Sequence, residues 1–248
     1  MWKSIRGRSI PPERGELMVV TPRFTFLHLH KSGGTFVNEC LLKFVKDARQ
    51  IGYHLPRSMV PQEFAHLPAL GLVRNPWSYY LSWYSFQLER PHPNFLFRIL
   101  SDDGQLDFEA TVRNMLHLGA GSVRLDMLLR SLPSAYSNQG LNLPNFALAP
   151  IRDTRLGFYT YLYRYLYHGG AEPAIVGRME EMREELVPML EQVAHSPSDE
   201  MRAFLAEALP RNTSQHGDYT QYYSDALRKL VAQRDEEIIA RHAYRFGD

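Results

Sequence analysis

The chain has 248 residues, 44% of them hydrophobic, and a formal net charge of +1. That length and apolar content suit one substantial core, so a single domain over residues 1–248 is expected, and the near-zero charge gives no general pull toward nucleic acid or an anionic membrane. Cys40 is the only cysteine, which excludes an intrachain disulfide or a cysteine-based metal site.

Residues 1–22 read as an N-terminal extension. The stretch "MWKSIRGRSIPPERGE" is basic but has no apolar signal core before Pro11 and Pro12, and no run anywhere approaches the roughly 18 apolar residues that span a bilayer. A cytoplasmic protein that is not integral to a membrane is the expectation. Phe24 to Leu29 then predicts a strand, Thr35 to Asp47 a helix, Gln50 to His54 a short strand and Ala69 to Val73 ("ALGLV") a buried strand. Asn75 is placed to cap the next helix, Pro76 to Leu88, with proline at the first position, where no N–H is missed. Helical spacing recurs over Phe108–Leu118, Ser122–Leu132, Thr154–Tyr167, Glu180–Val193, Asp199–Leu209 and Ser224–His242, and "PAIVG", Pro173 to Gly177, predicts a further strand. Ser131 to Pro150 is rich in turn formers and reads as a long surface loop. The fold class expected is α/β: a central parallel sheet flanked by helices, with a mostly helical C-terminal half and ligands at the C-terminal ends of the strands.

The stretch "FTFLHLHKSGGTFVNECLLKF", Phe24 to Phe44, orders a strand, a lysine with two glycines and a helix start. The first backbone N–H groups of a helix lack intrahelical partners and carry the positive end of its dipole, so this order suits an anion, with a phosphate as first candidate. In the usual phosphate loop, GxxxxGK[ST], the glycines precede the lysine; here Lys31 comes before Gly33 and Gly34, which argues against an ordinary ATPase or GTPase. A second cation, Arg74 in "GLVRNPWSYYLSWY", ends the Ala69–Val73 strand at the same sheet edge and can grip a phosphate bidentately, with Ser82 two turns into the following helix. Two anion sites on one crevice suit a nucleotide with phosphates at both ends of its ribose.

These two motifs resemble those of the sulfotransferases that use 3′-phosphoadenosine 5′-phosphosulfate (PAPS). "HLHKSGGTF" is similar to their HIPKTAGTS-type loop, with His28, Lys31, Gly34 and Thr35 in register, His30 at the usual proline and Phe36 at the usual Ser or Trp. The second is similar to RNPxxRxxSxY, matched by Arg74, Asn75, Pro76, Ser82 and Tyr84, with Tyr79 at the middle arginine. "IVGRMEEM" resembles the family's strand with its R-x-E segment, and the stretch from Leu209 to Phe246 resembles the C-terminal end of bacterial and glycan-modifying members. The GxxGDW segment by which small-molecule members close over PAPS is absent, and Arg211 to Gly217 stands in its place. The match is poorest from Pro91 to Ala171. The resemblance implies a P-loop NTPase-like architecture and a PAPS site formed by Lys31, Ser32, Gly33, Gly34, Thr35, Phe36, Arg74, Ser82 and Arg211, with adenosine 3′,5′-bisphosphate (PAP) as product.

Sulfuryl transfer needs charge stabilised on the leaving phosphate, a task for Lys31 that requires no metal, and a base to take the acceptor's proton. Histidine is the usual base near neutral pH. His54 in "GYHLP" ends the second predicted strand and resembles the family's THLP-type catalytic segment; Glu63 is the competing carboxylate. His28 and His30 share a strand face but lack a third metal ligand, and His28 is expected beneath the loop. The aromatic run Phe158 to Gly170 is expected to be core. The expected function is sulfuryl transfer to a hydroxyl, a carbohydrate or glycolipid before a phenol or alcohol. The alternatives are a nucleotide kinase, disfavoured because no Mg²⁺ carboxylates stand in register, and a non-catalytic nucleotide-binding protein of the same fold.

Overall fold

The structure, a computed structural model, describes residues 18–137, 141–208 and 217–248. Five strands, β1 (Met18–Val20), β2 (Thr25–Leu27), β3 (Arg49–Ile51), β4 (Ala69–Val73) and β5 (Ile175–Arg178), form one sheet in the order β3-β1-β2-β4-β5. β4 pairs parallel with both β2 and β5, whereas β1 is antiparallel to β2 and β3. The sheet is therefore mixed, which corrects the expected all-parallel arrangement, and the exception is the one strand that the sequence hid. β1 lies inside the region read as an extension. Its three residues are fully buried between two neighbours, and it is too short for a periodic signal. A tight turn in which Thr21 N–H and hydroxyl both donate to Phe24 carbonyl oxygen joins it to β2. Because β1 alone runs backwards, β2, β3, β4 and β5 all point their C-terminal ends at one edge.

Strand alternation divides the core. Phe26, Leu70 and Leu72 face one layer with Phe36, Val37 and Leu41 of α1 (Gly34–Phe44), Leu186 and Leu190 of α8 (Met182–Gln192), and Met201 and Leu205 of α9 (Asp199–Glu207). Leu27, Ala69 and Val73 face the other, larger layer. That layer holds α2 (Pro76–Leu88), α3 (Phe95–Leu100), α4 (Phe108–Leu116), α5 (Val123–Ser131), α6 (Asn145–Leu148), α7 (Phe158–Tyr167), α10 (Asp225–Arg234) and α11 (Glu236–Arg241). Helices on both faces of a mostly co-directional sheet are an α/β architecture. No helix among the described residues is long and apolar enough to cross a membrane.

α2 matches its expected bounds, and its start follows from the cap: Asn75 Oδ1 accepts from Trp77 N–H at 3.1 Å, with Pro76 at the first position. It is buried on nearly all sides, with Trp77, Tyr79, Tyr80 and Trp83 in the core. Other boundaries moved. The expected loop 131–150 contains α6 and leads into a 3-10 turn, Ala149–Asp153, with Leu148 and Ile151 wholly buried. α3 was not expected; Asn94 caps it through Phe97 N–H at 2.9 Å. The expected Ser224–His242 helix breaks at Asp235, whose buried carboxylate accepts from Tyr80 hydroxyl at 2.7 Å and from Thr160 hydroxyl and N–H at 2.7 and 2.9 Å.

Candidate functional site

The four co-directional strands deliver the Lys31 loop, His54, Arg74 and Glu180 to the same edge. At the end of β2 the chain turns through Lys31, which has φ 59°, and Gly33, at φ 76°, opens α1. A side chain at Gly33 would be strained at that φ and would also meet Met179 at 2.9 Å. At Gly34 a Cβ would come within 2.3 Å of the His28 ring, so the glycine lets the backbone rest on His28, which packs beneath the loop as expected. No side chain caps α1, and its first turn holds no acidic residue. Phe36 N–H donates to the Gly33 carbonyl at 3.1 Å, and the positive end of the helix dipole meets no side-chain acceptor among the described residues. Burial, with the like charge of Arg74 adding to it and Glu89 opposing it, lowers the Lys31 ammonium to about 8. Lys31 Nζ lies 4.3 Å from the centre of the Phe86 ring.

Arg74 ends β4 beside this loop, as the strand order requires. Its guanidinium donates through Nε to Ser78 Oγ at 2.9 Å and more weakly to the Lys31 carbonyl at 3.4 Å. Both acceptors are neutral, so the charge is held but not cancelled by a bonded carboxylate among the described residues; Glu180 acts on it only through space. Tyr159 ties the two anion loops together. Its hydroxyl accepts from Arg74 N–H at 2.8 Å and shares a hydrogen bond with Ser32 Oγ at 2.9 Å, in which either hydroxyl can donate. Glu180 accepts from Asn75 N–H and from Tyr244 hydroxyl, 2.8 and 2.9 Å, and Phe246 packs edge-on against Trp77, so the R-x-E segment and the C-terminal Tyr244-Arg245-Phe246 both close around the end of β4.

Other expected site residues lie elsewhere. Ser82 is wholly buried in α2, and Ser78, one turn nearer, is the serine on Arg74. Phe36 is stacked on Phe204 inside the core, with ring centres 5.5 Å apart. Thr35 is exposed at the second position of α1. Arg211 falls outside the described residues. Glu63 is exposed and paired with Arg49 at 3.1 Å, outside the buried histidine group.

His54 follows β3 in a left-handed conformation, φ 43°, and is buried. Its Nδ1 lies 2.7 Å from the His28 carbonyl. A carbonyl can only accept, so Nδ1 carries the proton and Nε2 keeps the lone pair. Its ring meets those of His28 and His30 at 4.9 and 5.7 Å. Burial depresses all three: His54 to about 4 despite its hydrogen bond, His28 and His30 well below the ordinary histidine value, with the neighbouring ring and, for His30, Lys31 and Arg90 adding to the effect. The Nδ1 atoms of His28 and His30 are buried without a hydrogen-bond partner.

Beside the Lys31 loop opens a cavity of about 560 Å³ between the end of α2, α3 and the residues around α6; His30, Tyr53 and Phe86 form its wall on the loop side. His54 lies instead on a narrow void of about 20 Å³, which His30 also lines. Sequence reasoning missed His30 in this role, and Tyr159 and Ser78 as site residues. Ser78 could have been found from its i+4 spacing to Arg74; nothing local marks Tyr159 among the tyrosines of α7. No family model matches the chain, and no curated protein matches it.

Proposed function

We propose that the protein transfers a sulfuryl group from PAPS to a hydroxyl acceptor and releases PAP, and that its sheet and Lys31 loop are a P-loop NTPase-like sulfotransferase core. One observation carries the reading. Two cations, Lys31 and Arg74, stand at the ends of adjacent parallel strands, bridged by the Arg74–Lys31 carbonyl contact and by Tyr159, with no carboxylate among the described residues bonded to the arginine. The turn beside them suits a phosphate group because Gly33 and Gly34 bring no side chain of their own and α1 opens without a side-chain cap.

In this reading Lys31 and the α1 N–H groups stabilise the charge that develops on the leaving 5′-phosphate as its bond to sulfur breaks, and Arg74 holds the 3′-phosphate. The acceptor oxygen bonds to sulfur in line, and its proton passes across the small void shared by His30 and His54 to His54 Nε2, the nitrogen left basic by the Nδ1 hydrogen bond. The acceptor reaches this position past His30, which orients its hydroxyl. Bound anionic phosphosulfate raises the depressed histidine basicity by attraction, which draws the base toward the working pH.

The test is ligand-dependent melting. PAP without metal is expected to raise the melting temperature far more than AMP or ATP, by the equivalent of roughly 2.7 kcal/mol at a hundredfold excess over Kd. Equal shifts with ATP, or a requirement for Mg²⁺, overturn the reading. If PAP binds but labelled sulfate from PAPS reaches no acceptor in a glycan library or cell extract, the non-catalytic nucleotide-binding reading replaces it.

A further inference from the structure

Most residues lining the cavity beside the Lys31 loop come from the stretch Pro91 to Ala171, which resembles known sulfotransferases least, and His30, Tyr53, Phe86, Gln87 and Arg90 join them from outside it. Half of the cavity's lining residues are apolar, Phe86, Leu96, Leu132 and Leu148 among them, and neutral polar side chains such as Gln87, Asn94 and Asn142 stand between them. Arg90 and Arg98 are its guanidinium groups, and no carboxylate lines it. Arg98 is neutralised by Asp103 at 2.6 Å. Arg90 forms no ion pair with any described residue; it lies over the Phe86 ring at 5.2 Å. Its charge is felt by His30 and Tyr53 across the cavity, lowering the former and opposing the upward shift that burial gives the latter. Phe86 thus carries two cations, Lys31 toward the transfer site and Arg90 toward the cavity.

A neutral sugar finds hydrogen-bond partners in the amide side chains of this wall, but it leaves the unpaired guanidinium without a counter-charge and sets hydroxyls against leucine and proline, which supply no partner. An apolar body with one anionic group satisfies the same wall: the leucines and Phe86 cover the body, and an unpaired arginine takes the anion bidentately. A volume of about 560 Å³ is that of a small-molecule pocket.

We infer that this cavity is the acceptor site and that it takes small aryl or alkyl hydroxyl compounds bearing a carboxylate, with Arg90 holding the carboxylate and the hydroxyl directed past His30. The inference rests on the sulfotransferase reading for the word acceptor, but the binding it asserts is measurable alone.

The experiment is calorimetric titration of the full chain, with and without PAP, using 4-hydroxyphenylpropionate, its methyl ester and lactose. The acid is expected to bind about tenfold more tightly than the ester, the worth of one charge-assisted contact. Arg90→Gln should erase that difference and Arg90→Lys restore part of it, while Arg98→Gln, already paired, leaves it within about threefold. Circular dichroism melting of each variant verifies that it is folded. Equal binding of acid and ester, tighter binding of lactose, binding of none of the three, or an unchanged preference in Arg90→Gln overturns the inference. Arg90-dependent binding of the acid in a protein that ignores PAP sustains the cavity's chemistry and removes the sulfotransferase reading instead.

Discussion

Asp235 and the Lys31 loop are two buried polar regions treated in opposite ways. Asp235 stands where α10 gives way to α11 in the larger layer, and Tyr80 and Thr160 satisfy its carboxylate with three hydrogen bonds. At the sheet edge, His28 and His30 hold buried ring nitrogens with no partner, α1 opens without a cap, and Arg74 meets only neutral oxygens. A buried polar group left unpaired costs about 1 to 3 kcal/mol. Burial still raises Asp235 to about 6, and unpaired buried atoms also occur in the larger layer at the Tyr79 hydroxyl and Trp83 Nε1; what sets the strand edge apart is that its unpaired ring nitrogens stand beside Lys31 and Arg74. The contrast predicts different consequences for substitutions in the two regions.

The contrast breaks first at Asp235. Asp235→Ala strands the Tyr80 and Thr160 donors and leaves a cavity, and denaturant unfolding is expected to show a loss on the order of 4 kcal/mol. The KM for PAPS should be unchanged in the fraction that folds. A large KM effect there would make the two regions one.

Lys31→Ala tests the other side. Its ammonium is partly desolvated and repelled by Arg74, so removing it should leave unfolding stability unchanged or raised, while kcat falls about a hundredfold or more. Arg74→Ala should chiefly raise KM for PAPS, because the phosphate it holds does not change charge in the reaction. His54→Ala should lower kcat by about 10² or more with PAP binding intact; His30→Ala, which removes only orientation, should cost less. If the last two effects are reversed, His30 is the base.

Acid sharpens the comparison. His28, His30 and His54 are depressed below the unfolded value of about 6.5, His54 to about 4. Below that unfolded value the unfolded chain binds protons that the native rings refuse. Stability should therefore fall as pH drops from about 6.5 toward 4, by up to about 1.4 kcal/mol per pH unit for each ring. Asp235 acts in the opposite sense, since burial raises it to about 6 and the native state takes its proton first as pH falls. Three rings outweigh one acid. Urea unfolding at pH 7.5, 6 and 5 measures the sum, and Asp235→Asn should steepen the decline.

The smallest effect is expected at Tyr159→Phe, which deletes the hydroxyl shared by Ser32 and Arg74 N–H. About 1 kcal/mol of stability should be lost, together with a severalfold rise in KM for PAPS as the two loops lose their common strut. A stability loss with no change in KM would make the residue structural only.

The sequence by itself determined what depends on near neighbours. The β4–Arg74–Asn75–Pro76 transition was legible because strand end, cap and first helical proline are consecutive, and the Lys31-Ser32-Gly33-Gly34 turn was legible because its glycines answer to local φ and close packing. Arg74's position beside that turn followed from adjacent parallel strands. Tertiary structure alone decided the rest. β1 is a strand only because β2 and β3 pair with its two edges, which three residues cannot announce. At Asp235, where α10 gives way to α11, the buried carboxylate finds its donors in Tyr80 and Thr160, far away in the chain. Ser78 replaces Ser82 at the arginine, and Phe36 turns into the core onto Phe204. Tyr159 joins the anion loops across the fold, and His30 comes to face the cavity while His54 lies behind it. Such contacts are made by side chains whose partners are distant in sequence, and no local pattern of propensity or periodicity encodes where a distant partner will stand.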